Sequence, residues 1–200
     1  MKQLFTIGHS NHEIARFLEL LSTHDVEVVA DVRSSPYSQW APQYSKAPLE
    51  ASLRTAGFDY WFLGKELGAR REEDCCYVNN QAKYAHIAEL PIFRRGLDRV
   101  LEGAGRLTIA LLCSEADPIT CHRTILVCRE LLRAKPSLDI AHIRADASIE
   151  SHGAMLERLA ESHELQPELF GPLSTAEGII EHAYDLQADR IEYRKVLAET

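Results

Sequence analysis

Five residues able to do chemistry crowd into one stretch, "CSEADPITCHR" at 113–123: Cys113, Glu115, Cys121, His122 and Arg123. Thiols beside a carboxylate and an imidazole can supply a nucleophile with a proton carrier. They can also bind a metal, or with the arginine form an anion cradle near a helix start. The plain alternative is a crowded turn whose cysteines fill the core.

Each residue has two readings. Cys113 ends an apolar run, where a cysteine is commonly a small core residue. Cys121 stands near a helix N-terminus, where the positive dipole end lowers a thiol pKa. It also shares a helical stripe with Ile125, Cys128 and Leu132, which would turn it inward. His122 and Arg123 either clamp an anion or pair with Glu115 and Asp117. Cys113, Cys121, His122 and His9 are all metal-ligand types, but their spacing matches no compact zinc motif. Neighbours on a helix also diverge by about 100°, so the expectation is no metal and no cofactor. A phosphatase-like thiol cradle is disfavoured, because "SEADPIT" has no glycine and two acids that repel phosphate.

These residues need a scaffold, and the chain supplies alternating strand-like and helix-like segments. "QLFTIG", "VEVVADV", "FDYWFL", "LTIALLC" and "IAHI" read as strands, two of them apolar enough to be buried on both faces. "EIARFLELLSTH", capped by Ser10 or Asn11, "PLEASLRTAG", ended by Gly57, and a helix from Pro118 to about Ala134, capped by Asp117, read as helices. This pattern predicts an α/β, three-layer, Rossmann-like fold: a mainly parallel sheet with helices on both faces. Residues 34–48 and 64–83 read as long polar loops. A C-terminal helical extension, "IESHGAMLERLAES" and "STAEGIIEHAYDLQADRIEYRKVLAE", follows. The expected organisation is a core domain over 1–147 with an acidic extension over 148–200 packed on it.

In open parallel sheets, ligands bind beyond the carboxyl ends of the strands. There the sequence places Gly8, His9 and Ser10, then Asp31, Arg33, Ser34 and Ser35, then the 113–123 stretch, then His142. Asp31 and Arg33, two apart, share one strand face. They either pair structurally or present Arg33 to a ligand. His12, His24, His86, His152, His163 and His182 are expected on the surface.

Bulk composition narrows the function classes. Residues 1–147 hold 18 Lys+Arg against 19 Asp+Glu, whereas 148–200 hold 4 against 11, within a total of −8. That balance disfavours bulk nucleic-acid binding through phosphates. A local basic pocket remains open, because 13 of the first 18 cations are arginines. Five cysteines, an odd count with Cys75 and Cys76 adjacent, fit reduced thiols. No apolar stretch reaches membrane-helix length, and "MKQLFTIGHS" lacks a signal-peptide pattern, so no membrane contact and a cytoplasmic location are expected. A homodimer stays open.

"TIGHS" at 6–10, "DVRSSPYS" at 31–38, "ELG" at 66–68, "CSEADPITCHR", "HI" at 142–143 and the tail "AYDLQADRIEYRK" together resemble the domain-of-unknown-function family 488. The resemblance implies an α/β three-layer fold with these motifs gathered at one sheet edge, and no particular reaction. The chain departs from the pattern at Ala69, where a second glycine would follow Gly68.

The expected function is an enzyme, of hydrolase or transferase type, that binds a small anionic ligand of nucleotide-like kind at the sheet's carboxyl edge. Glu115, Cys113, Cys121 and His122 are its expected catalytic residues. His9, Ser10, Asp31, Arg33, Ser35 and Arg123 are its expected binding residues. Two alternatives are a non-catalytic module that binds nucleotide or single-stranded nucleic acid, stacking bases on Tyr37, Trp40 and Tyr44, and a thiol or metal sensor.

Overall fold

A computed structural model of the chain describes residues 2–195. The apolar runs become strands β1 (Leu4–Gly8), β2 (Val28–Asp31) and β3 (Asp59–Phe62). A small antiparallel pair follows, β4 (Tyr77–Val78) and β5 (Gln81–Ala82). Then come β6 (Ile109–Cys113), β7 (Ile140–Ile143) and β8 (Ile149–Ser151). The central sheet has the order β3-β2-β6-β1-β7-β8, parallel throughout except for β8 against β7.

Every residue of β1, β2, β6 and β7 is buried, because helices cover both faces. Helices α1 (Ile14–Thr23) and α2 (Lys46–Thr55) lie on one face. Phe17, Leu20 and Leu21 of α1 recur at helical spacing and pack on Phe5, Val29, Ala110 and Ala141. Burying a side chain such as Phe17 is worth about 2–3 kcal/mol. Beyond β3 come α3 (Gly64–Leu67), α4 (Tyr84–Ala88) and α5 (Pro91–Ala104). Further along are α6 (Arg129–Ala134), α7 (His152–Ser162) and α8 (Ala176–Ile191). Residues from α4 to α8 build the second core with Leu4, Val28, Ile109, Leu111 and Ile140. The fold is α/β and three-layered, with C-terminal helices, and its sheet is mostly parallel. Among the described residues, no helix is long and apolar enough to cross a membrane.

Several expectations need correction. Neither Ser10 nor Asn11 caps α1; the helix starts after Glu13, and Ser10 takes a left-handed φ of 48°. Gly57 does end the α2 turn, at φ 89°. The helix expected from Pro118 is broken. Asp117 caps a 3-10 turn, Pro118–Thr120, by accepting from the Ile119 N–H, and Cys121 is then extended at φ −129°, ψ 137°. Helix resumes at His122 as a π-helical segment, Arg123–Cys128, before α6. Residues 149–151, expected to be helical, form β8. The last residues of the expected C-terminal helix, 196–199, lie outside the described residues. His152 is buried rather than on the surface: its Nδ1 stands 3.1 Å from His142 Nε2, and its Nε2 stands 2.8 Å from the Tyr184 hydroxyl. Ala69 is also buried, and neither it nor Gly68 has a positive φ, so an alanine fits there without strain.

Candidate functional site

β6 delivers Cys113 at its last residue, and the chain then turns over the end of β1. Gly8 makes that turn possible: a Cβ there would collide with the Glu115 carbonyl. The His9 and Ser10 N–H groups donate to the carbonyls of Cys113 and Ser114 at 3.0 and 2.8 Å, stitching the two strand ends together.

Within the turn, the Cys113 and Cys121 thiols both stand 3.0 Å from Glu115 Oε2. Cys113 Sγ is also 3.5 Å from His122 Nδ1. The other ring nitrogen of His122, Nε2, donates to the Val32 carbonyl at 3.0 Å, which fixes the ring and aims Nδ1 at the thiols. The Sγ atoms of Cys113 and Cys121 and a ring nitrogen of His122 all lie within 4.8 Å of one another. Extended backbone at Cys121 brings this about. With one residue outside the helix and the next opening it, the divergence of helical neighbours does not apply.

Electrostatics separate the two thiols. Burial raises Cys113 well above the ordinary thiol range, and the neighbouring Cys121 sulfur adds to this. Burial would raise Cys121 too, but the hydrogen bond from Cys113, then Arg123 and His122, outweigh it and hold it well below that range. Glu115 is raised, first by burial and then by Cys121. His122 is raised despite its burial, through its contact with Cys121 and its bond to Val32.

Arg123 is 1% exposed and turned inward. It donates to the carbonyls of Glu115 at 2.6 Å and Ala116 at 3.3 Å, and to Thr6 Oγ1 at 3.3 Å. It therefore positions the loop from behind. Arg33 is likewise held: Nε and Nη2 donate to the two oxygens of Asp31 at 2.9 and 2.6 Å, and Nη1 donates to His9 Nε2 at 3.1 Å. The Tyr60 hydroxyl adds a 2.8 Å bond to Asp31. His9 stacks on Tyr44 at 4.1 Å and donates from Nδ1 to the Ser10 carbonyl. Burial first, and Arg33 beside it, pull its pKa down to about 4, so it stays neutral.

A cleft of about 290 Å³ opens at this carboxyl edge. Cys113, Glu115 and His122 line it together with Arg33, Ser35 and Arg70, and so do Tyr37, Tyr84, Ile191 and Tyr193. Of the expected catalytic and binding residues, Cys113, Glu115, His122, Arg33 and Ser35 reach the cleft. Cys121, Arg123, His9 and Asp31 stand behind its walls, and Ser10 is half-buried beside Asn11. Tyr44 is fully buried and cannot serve as a stacking platform.

The family model described as "Domain of unknown function DUF488" matches residues 13–129, more than half of the chain. The chain belongs to the DUF488 family. Comparisons with curated proteins and with solved structures give no match. The DUF488 span contains Asp31, Arg33, Cys113, Glu115, Cys121, His122 and Arg123. It leaves out His9 and the C-terminal residues that close the cleft.

Sequence reasoning missed Arg70, Tyr84 and Tyr193. The Arg70 guanidinium lies 5.0 Å over the Tyr193 ring. Tyr193 is brought there by the tail after α8, where its carbonyl accepts from the Ala82 N–H at 2.8 Å. Arg70 follows "ELG" by two residues and Tyr193 lies within the tail "AYDLQADRIEYRK", but only the folded chain shows that they meet.

Proposed function

We propose that this chain is an enzyme that binds a small anionic, nucleotide-like molecule in the carboxyl-edge cleft and carries out a hydrolysis or group transfer on it. The observation that carries the reading is a shared lining: Arg33 and Arg70 border the same cavity as Cys113, Glu115 and His122. Arg33 is already neutralised by Asp31. Arg70 is exposed and, among the described residues, makes no ion pair, so it is the cation left to take an incoming anion. The volume lies at the lower end of ligand clefts, about 300 Å³ and upward, and suits one small molecule rather than a polymer.

Glu115 is the proton carrier of this reading, being the carboxylate that reaches the cleft. A covalent role for the thiols is less well supported, because the acidic thiol, Cys121, is buried behind the wall. The thiol that reaches the cleft, Cys113, is the one raised by burial. A non-catalytic base-stacking module retains one favourable observation, the exposed rings of Tyr37 and Trp40. Against it stand the buried Tyr44 and the net charge of −8.

The test is product analysis by liquid chromatography on a panel of nucleotides and nucleic-acid-derived phosphates, with wild type and Glu115→Gln. Turnover by wild type that falls about 10²–10⁴-fold in the variant supports the reading. Equal turnover by both removes Glu115 from it.

A further inference from the structure

The proposed reaction gives Glu115 a task but leaves two thiols and an imidazole in contact without one. We propose that Cys113, Cys121 and His122 bind a zinc ion whose fourth position opens into the cleft. This deepens the functional reading above and rests on it only for the ion's use, not for its binding.

Several observations converge. The ligand-type atoms of all three residues lie within 4.8 Å of one another. A tetrahedral zinc with bonds of about 2.3 Å to sulfur and 2.0 Å to nitrogen sets those two ligands about 3.5 Å apart. Cys113 Sγ and His122 Nδ1 already stand 3.5 Å apart.

The supporting contacts are of the kind a metal ligand needs. His122 donates its remote N–H to the Val32 carbonyl, which fixes the ring and raises the basicity of the nitrogen aimed at the thiols. The Arg123 main-chain N–H points at Cys121 Sγ at 3.4 Å, a contact that stabilises a thiolate. Charge agrees as well. Arg123 is a buried cation that, among the described residues, has no carboxylate partner, and a zinc–dithiolate centre beside it is neutral or anionic according to its fourth ligand.

Access separates this site from a closed structural one. Cys113 and His122 line the cleft while Cys121 lies behind it, so three ligands come from the protein and the remaining position faces solvent. That is the arrangement of catalytic rather than structural zinc. On loading, the cysteines bind as thiolates and any thiol protons pass to solvent. Glu115, 3.0 Å from both sulfurs, stands beside the ion as acceptor for a proton from a zinc-bound water. Two thiolates and an imidazole select zinc over magnesium or calcium, which prefer oxygen.

The experiment uses the full chain purified without chelator, with metal content by mass spectrometry and cobalt titration of the metal-stripped protein. The expected results are about one zinc per chain and an intense thiolate-to-cobalt charge-transfer band. Zinc content falls at least about tenfold in Cys121→Ser and is retained in Glu115→Gln and in Cys75→Ser. The wild-type cobalt spectrum keeps the test valid even if Cys121→Ser folds poorly. Absence of the band, its persistence in Cys121→Ser, or a Cys113–Cys121 disulfide in metal-free protein kept under reducing conditions would each overturn the proposal. None of these readouts depends on substrate, so the zinc site can fail while anion binding at Arg70 stands, and the reverse.

Discussion

Arg123 donates from Nη1 to the Glu115 carbonyl across 2.6 Å, so a buried guanidinium in the helix sets where the loop between Cys113 and Pro118 stands. A second bond to Ala116 and a third to Thr6 complete its task. Lysine carries the charge but cannot span two carbonyls in one plane. Arg123→Lys is therefore expected to lower stability by about 2–4 kcal/mol, measured by urea unfolding. An unchanged midpoint would show that the loop holds itself.

The Asp31–Arg33 pair is buried, with Asp31 at 0% and Arg33 at 5% exposure. Removing one partner leaves the other charge uncompensated. Arg33→Ala is expected to cost about 3–5 kcal/mol, and the double replacement Asp31→Leu with Arg33→Leu to cost less than that single change. Equilibrium unfolding of both variants compares the two. A double variant that loses more would mean that the pair contributes beyond mutual neutralisation.

Strands were legible where apolar runs are buried on both faces: "IAHI" maps onto β7 without a residue's difference. β8 was hidden because three residues, "IES", carry too short a pattern to set against the helical residues that follow. The break at Cys121 was hidden because Cys121, Ile125, Cys128 and Leu132 keep helical spacing across it. Contacts distant in sequence were not legible at all. Arg70 meets Tyr193, and His152 is buried by His142 and Tyr184, through the packing of α7 and α8 on the sheet. The motif "CSEADPITCHR" was recognisable as a site, but only the fold shows which of its side chains face the cleft.

The buried histidine pair is expected to set an acid limit on stability. Burial pulls His152 down to about 4 and His142 to about 2, the latter also through His152, Arg123, Arg144 and Arg158. Thr6 of β1 and Tyr184 of α8 bond the two rings in their neutral forms. An unfolded chain holds imidazole near the ordinary 6.5, so below that pH it takes up protons that the folded state refuses. Stability is therefore expected to be full above pH 6.5 and to fall as pH drops toward 4, by roughly 3 kcal/mol from His152 alone. Chemical unfolding across this window should show a shallower decline in His152→Gln. Parallel declines would assign the acid limit to other groups.

Gly8 lets the end of β1 pass under the Glu115 carbonyl. Gly8→Ala must push that loop away, with an expected loss of about 2 kcal/mol or more in thermal or urea unfolding. The same variant should alter the cleft that the loop lines, read as weaker anion binding. A Gly8→Ala protein with wild-type stability would contradict the close approach.

The cleft lined by Arg70, Cys113, Glu115 and His122 is proposed to receive an anion. Titration calorimetry with a nucleoside 5′-monophosphate and with inorganic phosphate, on wild type and Arg70→Ala, tests it most directly. Saturable binding by wild type that weakens at least about tenfold in Arg70→Ala, and declines with added salt, is the predicted result. Binding of equal strength in both proteins, or none in wild type at millimolar ligand, would contradict it.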